Sequence, residues 1–141
     1  MRTRKRKAGF TLVELMIVAA IIAILAAILI PLLASNRDSA IASEAANMCG
    51  AVATACKIEW AKSGDWPATT DNLPQTTQDE IERAKYFNEA DVTIGGSGPD
   101  DYSITVDGGA SEYSSGTAED LVLDEDGTWS GSVVDNGWVS N

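Results

Sequence analysis

The chain has 141 residues and a formal net charge of -11, from 21 acidic and ten basic residues, with two cysteines and no histidine. That length allows one small folded domain at most. The acidic balance opposes nucleic-acid binding, and the absence of histidine removes the commonest general base and zinc ligand.

The basic residues are unevenly placed. Arg2, Arg4, Lys5, Arg6 and Lys7 fall within residues 1–9, ahead of any acid. Without them the acids outnumber the remaining five bases by 16, so a strongly acidic body carries a basic leader. An apolar run follows, broken near its start by Glu14 and then free of charge from Leu15 to Ala34. Those residues, wound as a helix, span roughly 30 Å, the thickness of a bilayer core. The run is apolar on every face, as for a helix buried in lipid or among other helices. The basic cluster before it predicts a cytoplasmic N-terminus and an acidic part on the far side. A secretory signal peptide fits poorly, because the run is long and no small-x-small cleavage site follows it. A plain single-pass anchor explains everything except Glu14.

A carboxylate in the middle of a membrane helix costs on the order of 3 kcal/mol, and less near an end. It calls for a positive partner, and the apolar run offers none. Cleavage after Gly9 would create an α-amino group on Phe10, four residues before Glu14. A neighbouring copy displaced along the helix axis would then set its amine beside Glu14 and fix the register between subunits.

The stretch Lys7-Ala8-Gly9-Phe10-Thr11-Leu12-Val13-Glu14 resembles the class III leader junction of type IV pilins and of the related type II secretion pseudopilins. The resemblance implies cleavage between Gly9 and Phe10 by a prepilin peptidase, N-methylation of Phe10, and pairing of Glu14 with a Phe10 amine during assembly. Pro31 stands where the family commonly has a helix-loosening proline. It lacks an N–H and can kink or melt the segment. Ala23 occupies a position that is often glycine in that family.

Beyond the apolar run, residues 35–62 are rich in alanine and predict a continued helix. Ala45, Cys49, Val52, Cys56 and Trp60 recur at helical spacing and form one apolar stripe, the expected seat of a globular head. Ser63-Gly64-Asp65 and Pro67 are stop signals. From Phe10 the helix would run some 50 residues, about 80 Å at the helical rise. Cys49 and Cys56 lie seven residues apart on it, roughly 10 Å, too far for a disulfide. They read as small buried apolar side chains; a broken helix or a bond between subunits is the alternative. The resembled family often closes a C-terminal loop with a disulfide, but no cysteine follows Cys56.

The segment from Asp65 to Leu73 reads as a loop, similar to the aromatic-Pro turn that follows the long helix in many pilins, with Trp66 packing across the helix end. Thr77-Gln78-Asp79-Glu80 is a possible capping box for a short helix through Ile81, Ala84, Tyr86 and Phe87. Strands are predicted at Val92–Ile94, Tyr102–Val106, Leu121–Leu123 and Trp129–Val134. Asp124–Thr128 forms a hairpin turn, and Trp138-Val139 lies in the tail. The polar stretches Gly95–Asp101 and Gly109–Glu119 are expected as outward loops. Asp124 and Asp126 are weak candidates for calcium, since they lack the full spacing of a calcium loop. No other cofactor is indicated, and no residue stands in a recognisable catalytic setting.

The fold expected is α+β, a long N-terminal helix packed on a small antiparallel sheet. Residues 1–9 are a cleaved leader, 10–34 the transmembrane or filament-core half of the helix, 35–63 its amphipathic half, and 64–141 the head. The function implied is a non-enzymatic type IV pilin subunit. Its partners would be copies of itself, the prepilin peptidase, the inner-membrane assembly machinery and, before assembly, membrane lipid. The precursor would sit in a bacterial inner membrane and the product in an extracellular pilus. The rivals are a type II secretion pseudopilin and a membrane-anchored binding module that never polymerises.

Overall fold

A computed structural model describes residues 9–108 and 119–140. The leader before Gly9 and most of the expected Gly109–Glu119 loop lie outside the described residues. Helix α1 (Leu12–Ser63) is followed by α2 (Gln75–Glu82), strands β1 (Val92–Gly98), β2 (Asp101–Gly108), β3 (Glu119–Asp124) and β4 (Trp129–Ser130), and the single turn of α3 (Ser132–Asp135). The class is α+β, as the alternation of one long helical pattern with short strand patterns predicts. The chain divides into two compact units, Met1–Ala34 and Ser35–Asn141, and α1 contributes to both.

Among the described residues of the first unit, α1 buries none of its large apolar side chains. Every large apolar side chain from Phe10 to Leu33 is exposed, from 50% at Leu29 to 85% at Phe10. The helix continues through Pro31 without interruption. Proline's missing N–H deprives the Ala27 carbonyl of its usual donor. The flanking Ala26, Ala27, Ile28 and Leu29 keep the segment helical on either side of Pro31.

In the second unit α1 buries Ile41, Ala42, Ala45, Met48, Cys49, Val52, Ala53, Ala55 and Cys56. This is the predicted stripe, widened on both sides, with Trp60 half-buried at its end. Its residues are mostly small, and the sheet reaches the helix at Cys49. Cys49 Sγ lies 3.7 Å from the Ile104 carbonyl oxygen and 3.8 Å from that of Leu121. The helix stops where predicted: Gly64 takes φ +81°, and its N–H donates to the Trp60 carbonyl at 2.8 Å. A glycine in that conformation just past the last turn is the common helix terminator.

The sheet is four-stranded, antiparallel and in the order β1-β2-β3-β4. Alternation along β2 puts Tyr102, Ile104 and Val106 inward. Register places Ile104 against Leu123 and Val106 against Leu121, so one face is a continuous apolar layer. Leu73, Ile81, Phe87 and Val133 complete the core, and Trp138 and Val139 pack against it. Each large side chain buried here contributes about 1.5–3 kcal/mol.

Three local expectations are corrected. First, α2 begins at Gln75 and ends at Glu82, so Thr77 is a buried interior residue and Tyr86 and Phe87 follow the helix. Pro74 fixes the start: its carbonyl accepts the N–H groups of Thr77 (2.9 Å) and Gln78 (3.2 Å), and no side chain caps the helix. A capping box does occur further on, where Asn88 and Asp91 bracket a short 3-10 turn. Second, most of Gly95–Asp101 is strand, and the β1–β2 reversal is confined to Pro99-Asp100. Third, strand pairing after the Asp124 turn covers only Trp129-Ser130. Gly131 then adopts φ +103°, and a Cβ there would meet the Asp120 carbonyl oxygen at 2.5 Å. The chain leaves the sheet at that point and enters α3.

Candidate assembly surface

The first unit carries the residues with the strongest functional signal. Gly9 and Phe10 precede the helix, are exposed and lie in non-helical backbone. Glu14 lies in the first turn of α1. Its Oε2 accepts the Thr11 backbone N–H at 2.8 Å and the Thr11 hydroxyl at 2.8 Å. In return, Thr11 Oγ1 accepts the Glu14 N–H at 3.2 Å. This is a capping box, with Thr11 as the capping residue and Glu14 three positions on. Reading Glu14 only as an acid stranded in an apolar helix overlooks it, although the Thr-x-x-Glu spacing ahead of an apolar run signals it. Pro31 lies on the same helix, remote in sequence from this bracket.

The surface that α1 presents beyond these residues, up to Leu33, is apolar. Helix α1 is long and apolar enough to cross a membrane, and none of its most apolar stretch is buried within the chain. Such a surface is stable only when lipid or other helices cover it.

The remaining predicted site residues lie in the second unit and are engaged structurally. Cys49 and Cys56 are free thiols, both fully buried on the helical stripe. Asp124 Oδ1 accepts the Thr128 N–H at 2.9 Å and Oδ2 accepts the Thr128 hydroxyl at 2.5 Å. These bonds hold the Asp124 carboxyl below its ordinary range and close the hairpin turn. Asp126 is exposed at the tip of that turn. Among the described residues, no group of three His, Cys, Asp or Glu side chains is gathered as a metal site requires.

Three polar contacts that the sequence did not single out organise this unit. Glu44 Oε1 accepts the N–H groups of Lys85 (2.9 Å) and Tyr86 (2.7 Å), tying the segment after α2 to α1. Thr70 donates its hydroxyl to Glu89 at 2.5 Å. Asp120 and Ser132 bracket each other across the β3–α3 corner. The Trp66 ring packs at 5.4 Å from Tyr102 and edge-on at 6.5 Å from Trp60, the helix-end packing expected of it.

Comparison with known proteins places these features in context. The family model described as the prokaryotic N-terminal methylation motif matches residues 4–30. The chain is 36% identical over 87 residues to a fimbrial protein of Neisseria meningitidis serogroup B, covering 62% of this chain and 51% of that protein. It is 40% identical over 88 residues to the fimbrial protein EcpC of Eikenella corrodens, covering 62% of this chain and 56% of that protein. A fimbrial protein of Neisseria meningitidis serogroup A is 33% identical over 87 residues. The chain thus spans about half the length of the curated relatives it matches. No solved structure matches it. The methylation motif and the fimbrial relatives both support the resemblance to type IV pilins that Gly9–Glu14 suggests.

Proposed function

We propose that the chain is a type IV pilin subunit that polymerises through residues 10–34 into an extracellular filament. The observation that carries this most directly is the first unit itself. It is a helix of bilayer length, exposed on every side, with a methylation motif at its start and one acid in its first turn. Before assembly the lipid of the inner membrane would cover it; afterwards the same surface would be buried among copies of itself. Hydrolysis of the Gly9–Phe10 bond by a prepilin peptidase would leave a carboxylate on Gly9 and an α-amine on Phe10. Methylation of that amine, from a methyl-donor cosubstrate, retains its positive charge. A neighbour's Phe10 amine beside Glu14 would then neutralise the one acid in the apolar region, making register and assembly conditional on cleavage.

The test is to shear surface filaments from cells expressing the chain and to weigh their subunit. A mass beginning at methylated Phe10 is the expected result. Glu14→Ala should lower filament yield at least a hundredfold while the subunit still inserts in the membrane. A full-length, uncleaved chain confined to the membrane, with no filament containing it, would overturn the proposal.

A further inference from the structure

Glu14 already has hydrogen-bond donors on its own helix, and that bears on how it meets a neighbour. Its Oε2 takes both the N–H and the hydroxyl of Thr11, and Thr11 Oγ1 takes the Glu14 N–H. The first backbone bond of the helix, Leu15 N–H to the Thr11 carbonyl at 3.3 Å, closes the same turn. A helix begins with backbone N–H groups that lack intrahelical partners, and in lipid no water is present to satisfy them. The Thr11–Glu14 bracket satisfies two donors there, those of Thr11 and Glu14.

We infer that Thr11 is a positioning residue for assembly. Its bracket holds Glu14 against the start of its own helix, with Oε2 occupied and Oε1 turned over to a partner, so that Glu14 performs two separable tasks. Among the described residues Oε1 accepts no hydrogen bond. Every donor and acceptor of the bracket belongs to Thr11 or Glu14. Hydrolysis of the Gly9–Phe10 bond changes the nitrogen of Phe10 from an amide to an amine and leaves the Thr11 amide intact. The bracket therefore persists through processing, and the carboxylate that receives the neighbour's amine is already fixed in place. A free rotor would have to be ordered at the moment of contact, at an entropic cost the bracket removes in advance. This inference rests on the pilin proposal for what Glu14 meets, but the bracket itself can be tested without it.

The two tasks come apart because glutamine caps a helix in the same position as glutamate but carries no charge. The experiment uses the full chain and four variants: Thr11→Val, Thr11→Ser, Glu14→Gln and Glu14→Ala. Amide hydrogen exchange at residues 11 and 14 is measured in detergent micelles, and filament yield and subunit mass are measured in cells. Thr11→Val is nearly isosteric but loses the hydroxyl. It should speed exchange at residue 14 roughly five-fold, the size of a lost capping bond. It should cut filament yield by a similar factor, although the subunit is still cleaved and methylated. Thr11→Ser should restore both. Glu14→Gln should keep exchange at residue 11 slow yet assemble no filament, whereas Glu14→Ala should lose both. The inference is overturned if Thr11→Val exchanges and assembles like the parent chain, or if Glu14→Gln exchanges as fast as Glu14→Ala. Should the parent chain form no filament at all, the pilin proposal fails, and the exchange rates alone still decide whether the bracket exists.

Discussion

One helix serves two units that meet their burial requirements in opposite ways. Up to Ala34, α1 carries large aliphatic side chains, Ile, Leu, Val and Met, and all of them are exposed. From Ser35 onward its inward face is Ala, Cys, Val and a few larger residues, nearly all of it buried by the chain's own sheet. Among the described residues of that second unit, Ile58 is the one large hydrophobic side chain left exposed. Residue size follows the partner. Small side chains let a sheet come within a thiol's reach of the helix, as at Cys49. Large ones offer area to lipid or to other helices, which supply the complementary surface from outside. Charge divides the same way: every acid except Glu14 lies beyond Ser35. Among the described residues, the second unit buries nearly all of its large apolar side chains and the first exposes all of its own.

The largest effect expected from breaking this division comes from placing a charge in the middle of the exposed helix. Ile22→Asp should disfavour insertion by about 3–4 kcal/mol and abolish both membrane partitioning and filaments. The thermal melting of the second unit, followed in detergent, should stay where it is. A shift in that melting would show that the first unit contributes to the stability of the second.

The converse substitution is Ile104→Ala. Ile104 is fully buried at the centre of the sheet, opposite Leu123 and beneath the Cys49 thiol. Truncation there should cost about 2–5 kcal/mol, from lost burial plus the cavity left behind. Denaturant unfolding of the full chain in detergent reads the loss. Membrane partitioning should not change, because the substitution leaves the exposed apolar side chains from Phe10 to Leu33 unaltered.

How much of this could be read from the residues follows from the kind of signal each element gives. The apolar run and the junction from Lys7 to Glu14 are local, dense patterns, and both were legible. So were the stripe Ala45–Cys49–Val52–Cys56 and the Gly64 stop, since helical spacing repeats over many turns. Strand β2 was clear because Tyr102, Ile104 and Val106 alternate strictly. What escaped were features decided by partners distant in sequence or by one backbone angle. Gly131 breaks the Trp129–Val134 strand through a left-handed φ and a close approach to Asp120, which no apolar pattern encodes. The role of Glu44 depends on residues 41 and 42 positions away. Pro74 starts α2 two residues ahead of the predicted capping box by presenting its carbonyl. The Thr11–Glu14 bracket is different, because its signal is local. The charge of Glu14 drew attention to an outside partner, and the spacing to Thr11 was the more immediate clue.

The smallest expected effect tests the second unit's own electrostatics. Asp120 Oδ1 accepts the Ser132 N–H at 3.0 Å and its hydroxyl at 2.8 Å, and Ser132 Oγ accepts the Asp120 N–H at 2.9 Å. The bonds from the Ser132 backbone and side chain hold the Asp120 carboxyl below its ordinary value, outweighing partial burial. A carboxyl so depressed contributes stability that is fully present above the unfolded value of about 4 and is lost as pH falls through the lower folded value. Ser132→Ala removes the hydroxyl and moves the folded value back toward the ordinary one. At pH 7 it should destabilise the unit by about 0.5–1 kcal/mol, modest because the corner is partly open to solvent. Below about pH 3 the gap between parent and variant should narrow, since the protonated acid no longer gains from the charge-assisted bonds. Asp124 is depressed by Thr128 in the same direction, so the comparison belongs in an Asp124→Asn background, where acid sensitivity from the hairpin is removed. Membrane partitioning should be indifferent to Ser132→Ala at every pH. A variant that changed partitioning as well would mean that the acidic sheet and the apolar helix are not energetically separate.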